Sequence, residues 1–291
     1  MSIEVIKSVQ TMQHRSQVLR NAGNTIALVP TMGFLHEGHL SLVDIARDTG
    51  DIVVMSIFVN PTQFGENEDF DDYPRDFERD LSLAQEHEVD IIFWPTVEEM
   101  YSENHSTTVT VGKLGTYLCG ASRPGHFQGV TTVVSKLFNI VSPAIAVFGQ
   151  KDAQQGFILK RMARDLNFPI DIIFGPIVRE EDGLAMSSRN TYLSMTERKQ
   201  ALALYSGLQF AKKMVESGEV DSNIIIEKIR SFFEEESNIK EDYIEVVDLE
   251  QLAPLKRIDQ PVLIAVAAYV GTTRLIDNII VRSNGTNDTE I

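Results

Sequence analysis

Through its first 176 residues the chain alternates short, almost wholly apolar runs with amphipathic stretches, and this alternation narrows the possible folds more than any other feature. The runs 25–29, 51–60, 89–95, 144–149 and 170–176 read as strands, because a strand covered on both faces has no polar side to present. Between them, Leu40, Val43 and Ala46 fall at helical spacing with Gly50 placed to end the helix, and 75–88, 127–141 and 152–166 read as further helices. Alternation of this kind closes through right-handed crossovers into a mainly parallel sheet with helices on both faces, an α/β, Rossmann-like fold. Ligands of such sheets lie outside the carboxyl ends of the strands, near the point where strand order reverses. The segment 107–111 is expected as an extra strand at an edge or in an excursion.

The texture changes after Pro176, where Val178-Arg179-Glu180-Glu181-Asp182-Gly183 is charged and carries a glycine. We place the domain boundary there, with residues 1–184 forming the Rossmann-like domain and 185–291 a smaller C-terminal α+β domain. Ser194 and Glu197 have the spacing of a capping box, so a long helix is expected from 194 to about 217. A second helix follows at 221–236, and 243–248, 262–268 and 274–281 read as strands. The polar tail 283–291 is expected to fray. With 43% hydrophobic residues over 291 positions, two domains can each bury a core.

Charge restricts the partners. A formal net charge of −16 argues against a surface that tracks nucleic acid or an anionic membrane, so any phosphate must be held by local cations and N–H groups. The acidic clusters at 66–72 and 234–236 read as solvated faces. The single cysteine, Cys119, excludes an intramolecular disulfide and fits a reducing compartment. The opening Met-Ser-Ile-Glu-Val-Ile-Lys lacks the pattern of a secretory signal, and the apolar run 262–270 is too short to span a bilayer. A cytoplasmic location is expected.

Three segments carry chemistry. Pro30-Thr31-Met32-Gly33-Phe34-Leu35-His36-Glu37-Gly38-His39 joins a strand end to a helix start, where backbone N–H groups face an anion. The glycines permit close approach, and the two imidazoles can donate hydrogen bonds to phosphate oxygens. Histidines three apart could instead hold a metal, but zinc needs further ligands and the only cysteine is distant. In Gly149-Gln150-Lys151-Asp152, again at a strand end, Lys151 can set a compact positive charge on phosphates, or simply pair with Asp152. In Met186-Ser187-Ser188-Arg189, at the domain boundary, two hydroxyls and a guanidinium could close over a triphosphate, or serve as a linker with capping serines.

Taken together these segments resemble the pantothenate synthetase (pantoate–β-alanine ligase) family of the nucleotidylyltransferase superfamily. The likeness runs nearly end to end, through Ser56-Ile57-Phe58-Val59-Asn60-Pro61-Thr62-Gln63-Phe64, Asp72-Tyr73-Pro74-Arg75 and Arg123-Pro124-Gly125-His126-Phe127-Gln128-Gly129-Val130. It continues in Phe148-Gly149-Gln150-Lys151-Asp152-Ala153-Gln154-Gln155 and Asp182-Gly183-Leu184-Ala185-Met186-Ser187-Ser188-Arg189-Asn190. Gln150 departs from the glutamate that relatives often carry there.

The resemblance implies ligation of (R)-pantoate and β-alanine through a pantoyl adenylate, with ATP as substrate, Mg2+ as counter-ion and a homodimer as the assembled form. It further implies an ATP site built from Met32, Gly33, Phe34, Leu35, His36, Glu37, Gly38 and His39, completed by Gly149, Gln150, Lys151, Asp152, Val178, Met186, Ser187, Ser188 and Arg189. His39 would be the proton donor and His36 a phosphate partner, although our reading of the chemistry treats both chiefly as hydrogen-bond and charge stabilisers. Gln63 and Gln155 would hold pantoate, and Gln63 also β-alanine; Asn60 and Tyr73 are further candidates for the pocket wall. Because water would hydrolyse the adenylate, the second domain is expected to swing its Ser187-Ser188-Arg189 loop over the nucleotide.

Overall fold

The computed structural model describes residues 3–66 and 68–282. Its larger sheet has six parallel strands, β1 (Glu4–Ile6), β2 (Ile26–Thr31), β3 (Ile52–Ile57), β4 (Ile91–Phe93), β5 (Ile145–Gly149) and β6 (Asp171–Gly175), in the order β1-β4-β3-β2-β5-β6. From β2 the chain proceeds to β3 and β4 on one side, then returns to lay β5 and β6 on the other. Strand order therefore reverses between β2 and β5, the two strands that end in the Met32 and Lys151 segments.

Period-two alternation along β2 sends Ile26 and Leu28 to one face and Ala27 and Val29 to the other. The first face is covered by α1 (Val9–Asn21), α6 (His126–Val141) and α7 (Ala153–Asp165). The second is covered by α2 (Glu37–Thr49) and α3 (Phe77–Glu86). Gly50 ends α2 as expected but in an extended conformation, and its reason is space: a Cβ there would lie 2.8 Å from that of Ala27. Two one-turn helices, α4 (Val97–Met100) and α5 (Cys119–Ser122), lie in the connection between β4 and α6.

The C-terminal half packs α8 (Met195–Glu216) and α9 (Ser222–Glu234) on an antiparallel sheet of β7 (Ile239–Asp248), β8 (Val262–Val270) and β9 (Thr273–Val281), in that order. Ser194 and Glu197 form the capping box that starts α8. One sheet face packs on α8 and α9, while the other meets Phe127, Ala153, Phe157 and Ile158 of the Rossmann-like half. Burial on both faces explains why β8 is apolar throughout.

Three features depart from the patterns. Neither β1 nor α1 stands out in the sequence, because β1 has three residues at a sheet edge and α1 buries only Met12, Ser16 and Leu19. The segment 107–111 is not a strand. The Thr131 hydroxyl donates to the Val109 carbonyl at 2.6 Å and Thr132 Oγ1 accepts the Val109 N–H at 3.0 Å, so hydroxyls of α6 replace a ladder. β7 also begins four residues before the expected 243. The tail 283–291 lies outside the described residues.

Candidate active site

The crevice between the carboxyl ends of β2 and β5 opens into a cavity of about 230 Å³. Met32, His36, Gly38 and His39 line it from the β2 side, Gly149, Lys151, Asp152 and Gln155 from the β5 side. Val178, Met186, Ser187, Ser188 and Arg189 close it from the boundary loop, and Asn60, Gln63 and Tyr73 complete the wall. A recess of about 410 Å³ continues from it toward the C-terminal sheet, sharing Lys151, Asp152, Gln155, Ser187 and Arg189.

His36 is the N-cap of α2, and its Nδ1 accepts the Gly38 N–H at 3.2 Å. That bond leaves Nε2 carrying the proton and able to donate. The ring of His39 lies 4.0 Å from that of His36, centroid to centroid, and its Nδ1 is shut off from solvent with no hydrogen-bond partner among the described residues. Burial, then the nearby Lys151 ammonium, hold His36 down at about 4. Burial also depresses His39 well below the usual imidazole value, helped by His36 and Lys151. Near neutral pH both rings are therefore uncharged hydrogen-bonding groups, and the cations on the cavity wall are Lys151, Arg189 and Arg123.

The turn after β2 has a second anchor that the sequence patterns did not show. Asp80 of α3 is 1% exposed, and its carboxylate accepts the Phe34 N–H at 2.8 Å and the Leu35 N–H at 2.7 Å. Two of the N–H groups read as facing a ligand anion thus face this side chain. Gly33 and Phe34 both have positive φ, 80° and 51°, and a Cβ on Gly33 would sit 2.9 Å from the Asp80 carboxylate. Gly33, Phe34, Leu35 and Glu37 do not line the cavity, and neither does Gln150, which turns toward β9.

The boundary loop is the far end of a hairpin. Met186 N–H donates to the Val178 carbonyl at 3.0 Å and Glu180 N–H to the Leu184 carbonyl at 2.9 Å. Gly183 makes the bend at φ 97°, where a Cβ would strike the Tyr205 ring at 2.5 Å. Ser187 then caps a short 3-10 turn by accepting the Arg189 N–H at 3.3 Å. The Arg189 guanidinium is held by both oxygens of Asp69, at 2.8 and 3.1 Å. Burial works against its charge, but that carboxylate raises it above the usual range. The loop already stands over the cavity.

On the opposite wall the amides are tied into a network. Asn60 donates to Gln63 Oε1 at 3.0 Å and to the Gly129 carbonyl at 3.2 Å, and accepts the Tyr101 hydroxyl at 2.8 Å. Gln63 donates to Met32 Sδ at 3.2 Å. Arg123 and His126, which lie in one of the family-like motifs without an expected role, also belong to this wall. The Arg123 Nε donates to Glu68 at 2.6 Å and His126 Nδ1 donates to the Gln63 carbonyl at 2.8 Å, with Nε2 accepting from Arg123 at 3.1 Å. Burial and then Arg123 hold His126 down at about 4.

These three depressed histidines predict a pH dependence of stability. Their folded pKa values lie below the unfolded value near 6.5, so between the two only the unfolded chain gains protons and stability falls as pH falls. Each histidine contributes a slope of up to about 1.4 kcal/mol per pH unit below roughly pH 6.5. Urea unfolding of wild type at pH 7.5 and 5 should show this loss, and His126→Gln should flatten it. Equal stability at the two pH values would contradict the buried, neutral assignment.

A parallel α/β sheet with its crevice at the strand-order reversal, walled by paired imidazoles, a lysine and a serine-arginine loop, defines the class: a Rossmann-like nucleotide-binding enzyme with a small α+β domain beside its site. The chain belongs to the pantoate-beta-alanine ligase family, whose model matches residues 4–280. It is 56% identical over 278 residues to the pantothenate synthetase of Thermotoga petrophila, covering 96% of this chain and 99% of that one. With the pantothenate synthetase of Thermosipho africanus it shares 55% identity over 279 residues, 96% of this chain and 100% of that one. The crystal structure of pantothenate synthetase from Thermus thermophilus superposes with a TM-score of 0.90 at 43% identity, covering 95% of this chain and 99% of that one. Pantoate-beta-alanine ligase from Francisella tularensis, crystallised with beta-gamma ATP and beta-alanine, gives a TM-score of 0.79 at 31% identity over 96% and 97% of the two chains.

Proposed function

We propose that this chain ligates (R)-pantoate to β-alanine in two steps, forming pantoyl adenylate and pyrophosphate from ATP, then pantothenate and AMP. The observation that carries the reading is convergence: His36, His39, Lys151 and Arg189 line one cavity with the uncharged amides of Asn60, Gln63 and Gln155. Membership in the ligase family, and the ATP and β-alanine ligands of the Francisella tularensis crystals, support the same substrates.

The chemistry follows from the charges. A carboxylate expels oxide too poorly to acylate an amine, so AMP is attached as a stable leaving group. During that step negative charge grows on the α-phosphate oxygens and the departing pyrophosphate. Lys151, Arg189 and the Ser187 and Ser188 hydroxyls meet that charge, and His36 and His39 donate hydrogen bonds to it. A neutral imidazole next to a bound triphosphate gains proton affinity, so His39 can also supply a proton as the pyrophosphate leaves. Gln63 and Gln155 orient pantoate through its hydroxyls and carboxylate. They carry no cation that would hold the carboxylate away from phosphorus. Gln63 then receives β-alanine.

The Asp152 carboxylate and the Ser187 and Ser188 hydroxyls are hard oxygen donors that would hold a Mg2+ ion carried by ATP, and such an ion would neutralise part of the phosphate charge. The Rossmann-like domain over 1–184 supplies the nucleotide and pantoate sites, and 185–291 acts as the lid; each half has a main core of its own, with Leu184 packed in the C-terminal one and a further cluster joining Phe127 and Phe157 to Leu263 and Ala265. The assembled form is a homodimer and the compartment is the cytoplasm, the latter supported by the use of a single cysteine. Among the described residues no helix is long and apolar enough to cross a membrane.

Isotope exchange tests the reading. Incubation with ATP, Mg2+ and pantoate should exchange pyrophosphate into ATP, and adding β-alanine should release AMP with amide formation. Exchange that proceeds equally well without pantoate would reject the assignment.

A further inference from the structure

Lys151 is fixed from a distance. Its turn, Gln150–Asp152, belongs to the Rossmann-like half, yet the residue that grips it comes from the C-terminal sheet. Asn278 of β9 is 4% exposed, and its Nδ2 donates to the Gln150 carbonyl at 3.0 Å and to the Lys151 carbonyl at 2.9 Å. Its Oδ1 accepts from Gln150 Nε2 at 3.4 Å. The two protons of one amide are spent on two successive carbonyls, a pattern that neither a carboxylate nor an apolar group of the same size can reproduce.

Period-two alternation gives the adjacent residue a matching duty. Ile276 and Ile280 of β9 face the Rossmann-like half with Asn278, whereas Leu275 and Ile279 face α8 and α9 with Asp277. Asp277, 3% exposed, binds the Arg179 guanidinium through both oxygens at 2.7 and 3.0 Å, and Arg179 donates to the Gly183 carbonyl at 3.1 Å. One dipeptide therefore braces both the Lys151 turn and the hairpin that presents the Ser187-Ser188-Arg189 loop. The ladder to β8 fixes its place, with Asn278 opposite Ala265.

We propose that Asn278, which also lines the recess beside the site, is a positioning residue for adenylate formation, setting the Lys151 ammonium through the backbone of its turn. This rests on the ligase reading above. A flexible four-carbon side chain delivers its charge only as accurately as its Cα is held, and misplacement on the scale of 1 Å costs about 100-fold in rate.

A double-mutant cycle tests it, using single-turnover adenylate formation by the full chain with ATP, Mg2+ and pantoate. Asn278→Ala should slow the step about 10- to 100-fold while the KM for pantoate stays within about twofold. In a Lys151→Ala background the same substitution should change the rate by less than about twofold, since the group it positions is gone. Asn278→Asp, which keeps the size but replaces the donors with acceptors, should repeat the loss and carries the test if the alanine variant is too unstable. Equal fold-losses in both backgrounds, or wild-type rates for Asn278→Ala, would overturn the positioning role alone. A wild-type chain that forms no adenylate would overturn the ligase reading and this inference with it.

Discussion

Replacing Lys151 with alanine should slow adenylate formation by about 10²- to 10³-fold, the usual cost of removing one group that meets developing charge. The side chain lies at the carboxyl end of β5, beside the strand-order reversal, with 23% of its surface exposed. Its ammonium stands 3.8 Å from the Asp152 carboxylate, so truncation removes a cation from the cavity and leaves a bare carboxylate facing the phosphates. The folded state should notice little. A part-exposed pair of this length contributes at most about 1 kcal/mol, so Tm should move by only a few degrees, roughly 2–4 °C at most. Because the charge is needed most when pyrophosphate departs, kcat and kcat/KM should fall together. Lys151→Arg restores charge with a longer, planar head and should recover only part of the rate. Turnover within about twofold of wild type in the alanine variant would remove Lys151 from the mechanism.

The same residue shows what a linear reading can and cannot find. Lys151, His36 and His39 were legible because each sits in an unbroken strand-turn-helix segment, where local pattern and position on the sheet coincide. The long buried strands and α8 were legible for related reasons, an uninterrupted apolar run and a complete capping box. Local pattern alone could not carry convergence: family resemblance joined the three ligand-site segments, and the long-range partners of those segments went unread. Asp80 reads as one carboxylate on a helix, yet it reaches across 46 positions to the Phe34 N–H. Asp69 and Glu68 read as part of a solvated acidic cluster, yet they are the partners of Arg189 and Arg123. Asn278 reads as a polar interruption in a strand. Its role follows only from the stacking of one sheet against the other half, which no periodicity reports. The miss at 107–111 has the same origin, since β-favouring residues form a ladder only when a strand edge is available. Here α6 hydroxyls took the backbone groups first.

Gly129→Ala should both destabilise the chain and disable the substrate wall, against the ordinary trend for glycine in a helix. Mid-helix, alanine is normally favoured by about 1 kcal/mol. Gly129 lies inside α6, but a Cβ there would stand 2.3 Å from the Thr62 carbonyl oxygen and 2.6 Å from the Gln63 nitrogen, backbone atoms that cannot rotate aside. The helix cannot retreat, because Val130, Val133, Val134 and Leu137 fill the core behind it. The 3-10 turn Pro61–Gln63 must therefore yield, straining the Asn60 bond to the Gly129 carbonyl and the His126 bond to the Gln63 carbonyl. Overpacking of this kind costs about 1–3 kcal/mol, enough to cancel or reverse the helix-propensity gain. The larger effect should be on activity, since moving Gln63 by about 1 Å would cut pantoate-dependent exchange on the order of 100-fold. Urea midpoints and exchange rates measured on one preparation separate the two effects. A variant more stable than wild type with unchanged exchange would show that the contact between α6 and the turn has room to spare, and that Gln63 is not held by it.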